Sequence, residues 1–286
     1  MPVTDSPLRY PGGKSQLIPF IIDLMRKNDL FYGQYAEPFA GGAGVPLKLL
    51  LDGYVDKVYI NDFDEAIYSF WASVLEEPEE LSRMIRDVKV DIDTWREMRR
   101  IYFDRKEVTR LELGFSTLFL NRTNRSGIIK AGVIGGVQQL GKYKLDCRFN
   151  KDDLIRKIMR IAGRRDGICL TNLDALDFLD TVIPNTDNNI LVNLDPPYFG
   201  KGKDLYANYY NFDDHQALAE KIYSLGRKWI VTYDDVSEIR DLYSHFPMYT
   251  NQLNYSAQVK RVGTELLVAM PGLVLPEGTA LNPVAL

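Results

Sequence analysis

The chain holds 286 residues, 45% of them hydrophobic and 26% charged, which suits a folded protein of one large domain or one domain carrying an insertion. No apolar stretch nears the ~20 residues that span a bilayer, and the opening MPVTDSPLRYPGGKSQ lacks an apolar signal core, so no membrane association and a cytoplasmic location are expected. The two cysteines, Cys147 and Cys169, and the two histidines, His215 and His245, exclude a disulfide framework and a zinc cluster and argue against a histidine-based triad; no metal is expected, with a carboxylate metal site left open.

The first segment of interest is LRYPGGKSQL, residues 8–17. Tyr10 precedes a proline, two glycines and Lys14, and a helix is predicted next. This reads as an anion-binding helix start in which Lys14 meets a carboxylate or phosphate; an exposed surface turn is the plainer alternative. Residues 33–62 then read as strand, glycine-rich turn, helix and strand: QYAEPF, AGGAGV, PLKLLLDG and KVYIND. Alternation of strand and helix predicts a parallel, doubly wound sheet. Gly41, Gly42 and Gly44 permit a tight turn and a close approach of backbone to ligand. Their spacing matches neither the phosphate loop nor Gly-x-Gly-x-x-Gly, so a nucleotide-like ligand is expected and NAD is disfavoured. Asp62 ends the second strand 21 residues after Gly41, where an acidic residue grips a ribose hydroxyl pair. A strand-end cap is the alternative there.

Residues 64–111 carry apolar residues at i, i+3 and i+4 and are predicted to be mostly helical. The stretch FSTLFLNRTNRSGIIKAGVIGGVQQLGKYKLDCRFN is rich in glycine and polar residues, and part of it is expected to form a hairpin or long loop. KDDLIRKIMRIAGRR, residues 151–165, returns to a basic helix. The net charge of −4 conceals an asymmetry here: residues 99–165 hold 17 Lys and Arg against 6 Asp and Glu, and the remainder holds 18 against 33. A basic segment also bearing Asn, Thr, Gly and aromatic residues suits a polyanion-binding module better than merely solvated helix faces. Arg122, Arg125, Lys130, Lys142, Lys144 and Arg148 are candidate phosphate contacts; Asn121, Asn124 and Gln138 are candidate base readers. Binding through ionic contacts should weaken steeply with salt.

The sheet pattern resumes with GICLTNLD and NNILVNLDPPY. Asp174 can accept a hydrogen bond from a cofactor's adenine amine or cap the helix beginning ALDFL, and both readings stay open. FDDHQALAEKIYSLG is a predicted helix capped by Asp213 or Asp214, KWIVTYDD a strand and SEIRDLYSHF a helix. MYTNQLNYS and GTELLVAM have no helix between them and should pair antiparallel.

NLDPPY needs its own reading. Pro196 and Pro197 lack backbone donors, so the strand stops near Asp195 and the chain leaves in a stiff, extended exit. All these segments sit at the carboxyl ends of parallel strands, where open α/β sheets bind ligands. The Asp195 carboxylate and the Pro196 carbonyl can accept the two protons of an aromatic amine while Tyr198 stacks on its ring. That is the chemistry of methylating an exocyclic amine.

Taken in order over nearly the full chain, YPGGK, EPFAGGAG, IND, a basic insertion with FLNRTNRSG, NLD, DPPY and GTELLV resemble the Dam-like class of DNA adenine methyltransferases. The resemblance implies an α/β, Rossmann-like methyltransferase fold with a mostly parallel doubly wound sheet and an antiparallel C-terminal hairpin. It implies a catalytic, cofactor-binding domain in residues 1–70 and 166–286, and an inserted, mainly helical target-recognition domain in 71–165. It further implies S-adenosylmethionine as cofactor and double-stranded DNA as substrate, with the target adenine flipped out of the helix. Tyr10, Lys14, Glu37, Pro38, Phe39, Gly41, Gly42, Gly44, Asp62, Asp174 and Asp195 would line the cofactor, and Asp195, Pro196, Pro197 and Tyr198 would form the catalytic site. A bacterial or phage origin and a monomer are favoured, and a cognate restriction endonuclease is left open as a partner. The rivals are methylation of cytosine's exocyclic amine and a catalytically silent DNA-binding regulator, the latter opposed by the intact Asp62, Asp195 and Tyr198. RNA or protein-glutamine methylation is disfavoured by Asp195 where asparagine is usual, and a nucleotide-binding oxidoreductase by the glycine pattern and the basic insertion.

Overall fold

The computed structural model describes residues 4–9, 14–199, 210–255, 261–277 and 281–284. Short segments rich in aliphatic and aromatic residues and bounded by turn residues form β1 (Gln34–Glu37), β2 (Lys57–Asn61), β3 (Ile168–Thr171), β4 (Ile190–Leu194) and β5 (Lys228–Asp234). These pair in parallel in the order β3-β2-β1-β4-β5. Every residue of β4 is buried, as expected of a parallel strand covered on both faces. β7 (Arg261–Ala269) then runs antiparallel to β5, β6 (Met248–Tyr255) antiparallel to β7, and the short β8 (Asn282–Pro283) edges β6. The expected antiparallel C-terminal pair is therefore present.

Side chains alternate between the two faces of the sheet, so each strand feeds two apolar cores. Tyr35, Leu191 and Ile230 join the core under α1 (Ile18–Lys27), α2 (Gly44–Leu51) and the helices that follow β2. Ala36, Val192 and Val231 join the other core, against α8 (Ala175–Thr181), α9 (Phe212–Tyr223) and α10 (Ser237–Leu242). Strand order reverses between β1 and β4, and this switch point opens a crevice at their carboxyl ends. The loop after β1 and the turn after β4 thereby become neighbours.

Between β2 and β3 the chain forms α3 (Glu65–Glu76), α4 (Pro78–Asp87), α5 (Ile92–Asp104), α6 (Arg110–Thr123) and α7 (Lys151–Ala162). Side-chain caps start four of them: Asp64 on α3, Asp91 on α5, a Thr109–Glu112 capping box on α6 and Asn150 on α7. Of the stretch of which a part was expected to form a hairpin or long loop, the opening FSTLFLNRT is helical. Leu113 through Thr123 is buried all round, so α6 lacks the polar face that would have revealed its period. The loop part of the expectation holds from Asn124 onward, where short 3₁₀ turns and a single antiparallel bridge, Asn124 to Val133, lead to α7. The cap of α9 is Asn211, with Asp214 as its reciprocal partner, two or three residues before the Asp213 or Asp214 that the sequence suggested. Among the described residues, no helix is long and apolar enough to cross a membrane.

Candidate active site

The loop after β1 turns sharply at Gly41 (φ 46°) and Ala43 (φ 47°) before α2 begins at Gly44. The left-handed backbone at Gly41 is where glycine is needed. Its N–H donates to Asp62 Oδ2 at 2.8 Å, and Trp71 Nε1 donates to its carbonyl at 2.9 Å. Asp62 Oδ1 accepts from Asp64 N–H at 2.9 Å. Asn61, fully buried, ties the neighbouring strand ends together. Its Nδ2 donates to the Pro38 and Leu173 carbonyls (3.0 and 2.9 Å), and its Oδ1 accepts from Thr171 Oγ1 and Leu173 N–H (2.8 and 2.9 Å). All four hydrogen-bonding positions of that amide are used, which sets the glycine turn, Asp62 and the turn before Asp174 in one frame. The Phe39 ring meets Tyr210 edge-on at 5.8 Å. Asp174 caps α8 through Leu176 N–H at 2.8 Å, the cap reading of that residue. Gly42 completes the turn. Tyr10 lies outside the described residues.

Two carboxyl groups in this frame are held unusually neutral. Burial pushes Asp62 up to about 7, against the hydrogen bonds from Asp64 and Gly41. Burial pushes Glu37, at the end of β1, up to about 8, although Tyr35 OH (2.9 Å) and Asn193 Nδ2 (3.2 Å) both donate to its Oε1.

The turn after β4 carries the second cluster. Asp195 Oδ1 accepts from Thr232 Oγ1 at 2.9 Å and pairs with Lys14 Nζ at 3.1 Å. Lys14 Nζ also donates to Glu265 Oε1 at 2.9 Å and to Tyr198 OH, and Tyr198 OH donates to Glu265 Oε1. The ammonium lies 4.9 Å from the Tyr198 ring centroid. Lys14, Tyr198 and Glu265 are buried, while the Asp195 side chain keeps 23% of its surface open. Burial opposes the Lys14 charge, but Asp195 and Glu265 outweigh it, and its pKa is raised. Burial raises Asp195, opposed by Lys14 and Thr232 and reinforced by Glu265. Tyr198 is thus buried with its hydroxyl committed to Lys14 and Glu265, while Asp195, braced by the same lysine, stays partly open.

The family model of the D12 class N6 adenine-specific DNA methyltransferases matches residues 10–257. The chain belongs to this family. It is similar to the type II methyltransferase M.MjaIII of Methanocaldococcus jannaschii, at 28% identity over 240 residues covering 76% of this chain and 78% of that protein. The protein is an adenine-specific DNA methyltransferase, and its family implies a methyl donor of the S-adenosylmethionine type.

The methyltransferase puts Lys14 against Asp195, Tyr198 and Glu265 and so joins it to the DPPY turn. The anion it meets is the protein's own carboxylates. In the insertion, Arg125, Lys130, Gln138, Lys142, Lys144 and Arg148 are exposed, as phosphate or base contacts require. Asn121, Arg122 and Asn124 are not: they are buried and already hydrogen-bonded. Asn121 accepts from Arg9 N–H (2.7 Å) and donates to the Arg9 and Gly127 carbonyls (2.9 and 2.8 Å). Arg122 Nε donates to the Pro7 carbonyl at 2.6 Å, and burial brings its pKa down to about 10. Asn124 accepts from Trp95 Nε1 and donates to the Ile129 carbonyl, both at 2.7 Å. With these groups committed, the three residues shape the insertion and fasten it to the segment just before Lys14. Gly127 belongs to the same clasp, since a Cβ there would lie 2.1 Å from the Arg9 carbonyl oxygen.

Glu265, Thr232, Asp234 and Asn61 were not singled out from the sequence. The available signal for Glu265 was a lone charge inside the apolar run GTELLVAM; for Asp234 it was a pair of acids ending a strand. Asp234 Oδ1 accepts from Phe199 N–H at 2.9 Å and so secures the far side of the DPPY turn.

Proposed function

We propose that S-adenosylmethionine is the methyl donor and that a flipped adenine is received by Asp195, the Pro196 carbonyl and Tyr198. The observation that carries this reading is the partly open Asp195 carboxylate, braced by Thr232 and Lys14 beside the Tyr198 ring. The chemistry of the other half-site fits the donor. Glu37 and Asp62, whose carboxyls burial raises to about 8 and about 7, lie within reach of losing their protons and, as carboxylates, suit an ammonium and a ribose hydroxyl pair respectively. When bound, the donor supplies an electrophilic sulfonium methyl group.

The remaining work belongs to the chain. Extracting a base from duplex DNA costs a few kcal/mol, and stacking on Tyr198 returns about 1–3 kcal/mol. The amine lone pair of adenine is delocalised into its ring. Hydrogen bonds from the amine to Asp195 and to the Pro196 carbonyl favour a tetrahedral nitrogen and localise that pair for attack on the methyl group. Asp195, made more basic by burial, accepts the proton that the methylated amine must lose. Pro197 stiffens the turn, and Lys14 with Glu265 sets Asp195 and Tyr198 relative to one another. Residues 71–165 act as the DNA target-recognition module within a catalytic domain of 1–70 and 166–286, with the exposed basic residues of the insertion on phosphates. Similarity to a type II methyltransferase supports a role in restriction–modification beside an endonuclease of the same site specificity.

The test is transfer of a labelled methyl group from S-adenosylmethionine to unmethylated bacterial DNA, with nucleoside digestion and sequencing of modified sites. Wild type should label the adenine amine at one sequence, and Asp195→Ala should abolish transfer while keeping DNA affinity within a few-fold. Loss of DNA binding together with activity would remove Asp195 from this role.

A further inference from the structure

Three successive residues at the end of β5 serve the catalytic turn. Thr232 hydrogen-bonds Asp195, and Asp234 holds the Phe199 N–H. Tyr233 points to the opposite face, where its OH lies 3.0 Å from Nδ1 of His215, a fully buried residue of α9. Around that imidazole the rings of Phe199, Tyr210 and Tyr233 lie at centroid distances of 5.5, 5.4 and 5.4 Å. Phe199 directly follows Tyr198. Tyr210 carries the Phe39 ring of the cofactor loop.

We propose that His215 is a positioning residue for methyl transfer: its neutral ring is the hub that seats the catalytic turn through Phe199 and ties it to the cofactor loop through Tyr210 and Phe39. This rests on the roles proposed above for Asp195 and Tyr198. The ring touches none of the reacting groups and acts through Phe199, one residue beyond Tyr198. A histidine suits the place because it fills an aromatic slot and also meets the buried Tyr233 hydroxyl. Its Nε2 is buried with no hydrogen-bond partner among the described residues, so a protonated ring would carry its charge with no acceptor at that nitrogen. The charged and titratable groups facing it are the carboxylates of Asp214 and Asp234 and the phenols of Tyr210 and Tyr233, with Tyr243 behind Tyr233. Burial prevails over the pull of the two carboxylates and lowers the pKa of His215. The hub is therefore neutral at physiological pH and loosens under acid.

The experiment measures kcat, the KM for DNA and donor affinity for wild type, His215→Ala and His215→Phe, with thermal melting as the control for folding. His215→Ala should lower kcat by about 10²-fold and leave DNA KM and donor affinity within about threefold. His215→Phe keeps the ring contacts and cannot titrate. It should retain kcat within a few-fold at pH 8 and lose less activity than wild type as the solution is acidified into the range where the imidazole takes its proton. A folded His215→Ala with wild-type kcat would overturn the proposal, as would equal losses in kcat and DNA binding. Should the alanine variant not fold, the phenylalanine variant decides: a pH profile superimposing on wild type overturns the proposal. Absence of methyl transfer by wild type itself would instead overturn the functional reading on which this rests.

Discussion

Glu37→Gln tests the electrostatics at the end of β1 directly. Glu37 is 8% exposed, and burial raises its carboxyl from the ordinary 4.5 to about 8. A raised acid binds its proton more tightly folded than unfolded. Its contribution to stability is therefore fully present below about pH 4.5 and is lost as pH rises toward 8. At 1.36 kcal/mol per pH unit, the loss between pH 5 and pH 9 comes to about 4 kcal/mol. Glutamine keeps an oxygen to accept from Tyr35 and Asn193 and cannot ionise. Urea unfolding of wild type and Glu37→Gln across that range should thus give stabilities that diverge by about 4 kcal/mol, with wild type falling faster. A divergence under about 1 kcal/mol would show that Glu37 is ionised where it stands, and the argument from burial would fail. The same carboxyl carries roughly nine-tenths of a proton at pH 7. Docking of an ammonium against it should release that proton, seen by calorimetry of donor binding in two buffers of different ionisation enthalpy.

Two further outcomes follow from the site and the insertion. Glu265→Gln removes the carboxylate shared by Lys14 and Tyr198 and should lower kcat by about 10²-fold with DNA affinity within threefold; unchanged kcat would reduce Glu265 to a bystander. Asn124→Ala should cost about 1–3 kcal/mol for each buried group it strands, Trp95 Nε1 and the Ile129 carbonyl. Chemical denaturation measures that cost, and sequencing of methylated sites should show the recognition sequence unaltered. Altered recognition at full stability would make Asn124 a base reader after all.

The strand–turn–helix rhythm, the glycine turn, Asp62 and the DPPY exit were legible because each is a local matter. Alternation of apolar residues, a left-handed turn and a proline's missing donor act within a few residues of chain. The same holds for the C-terminal antiparallel pair, two strands with no room for a crossover helix. What escaped the sequence depends on groups brought together from afar. α6 was half missed because burial on all sides erased its period. Asn121 and Asn124 resembled base readers by type, and only tertiary packing showed their amides spent on Arg9, Gly127, Trp95 and Ile129. Lys14 read as an anion-binding group, and the anion proved to be Asp195 with Glu265, 181 and 251 residues further along the chain. The sequence by itself determined which chemical groups this methyltransferase owns and at which strand ends they emerge. The tertiary structure alone decided which of them share one buried, charge-paired cluster. Charge pairing and desolvation depend on distance in space, and distance along the chain says nothing of that.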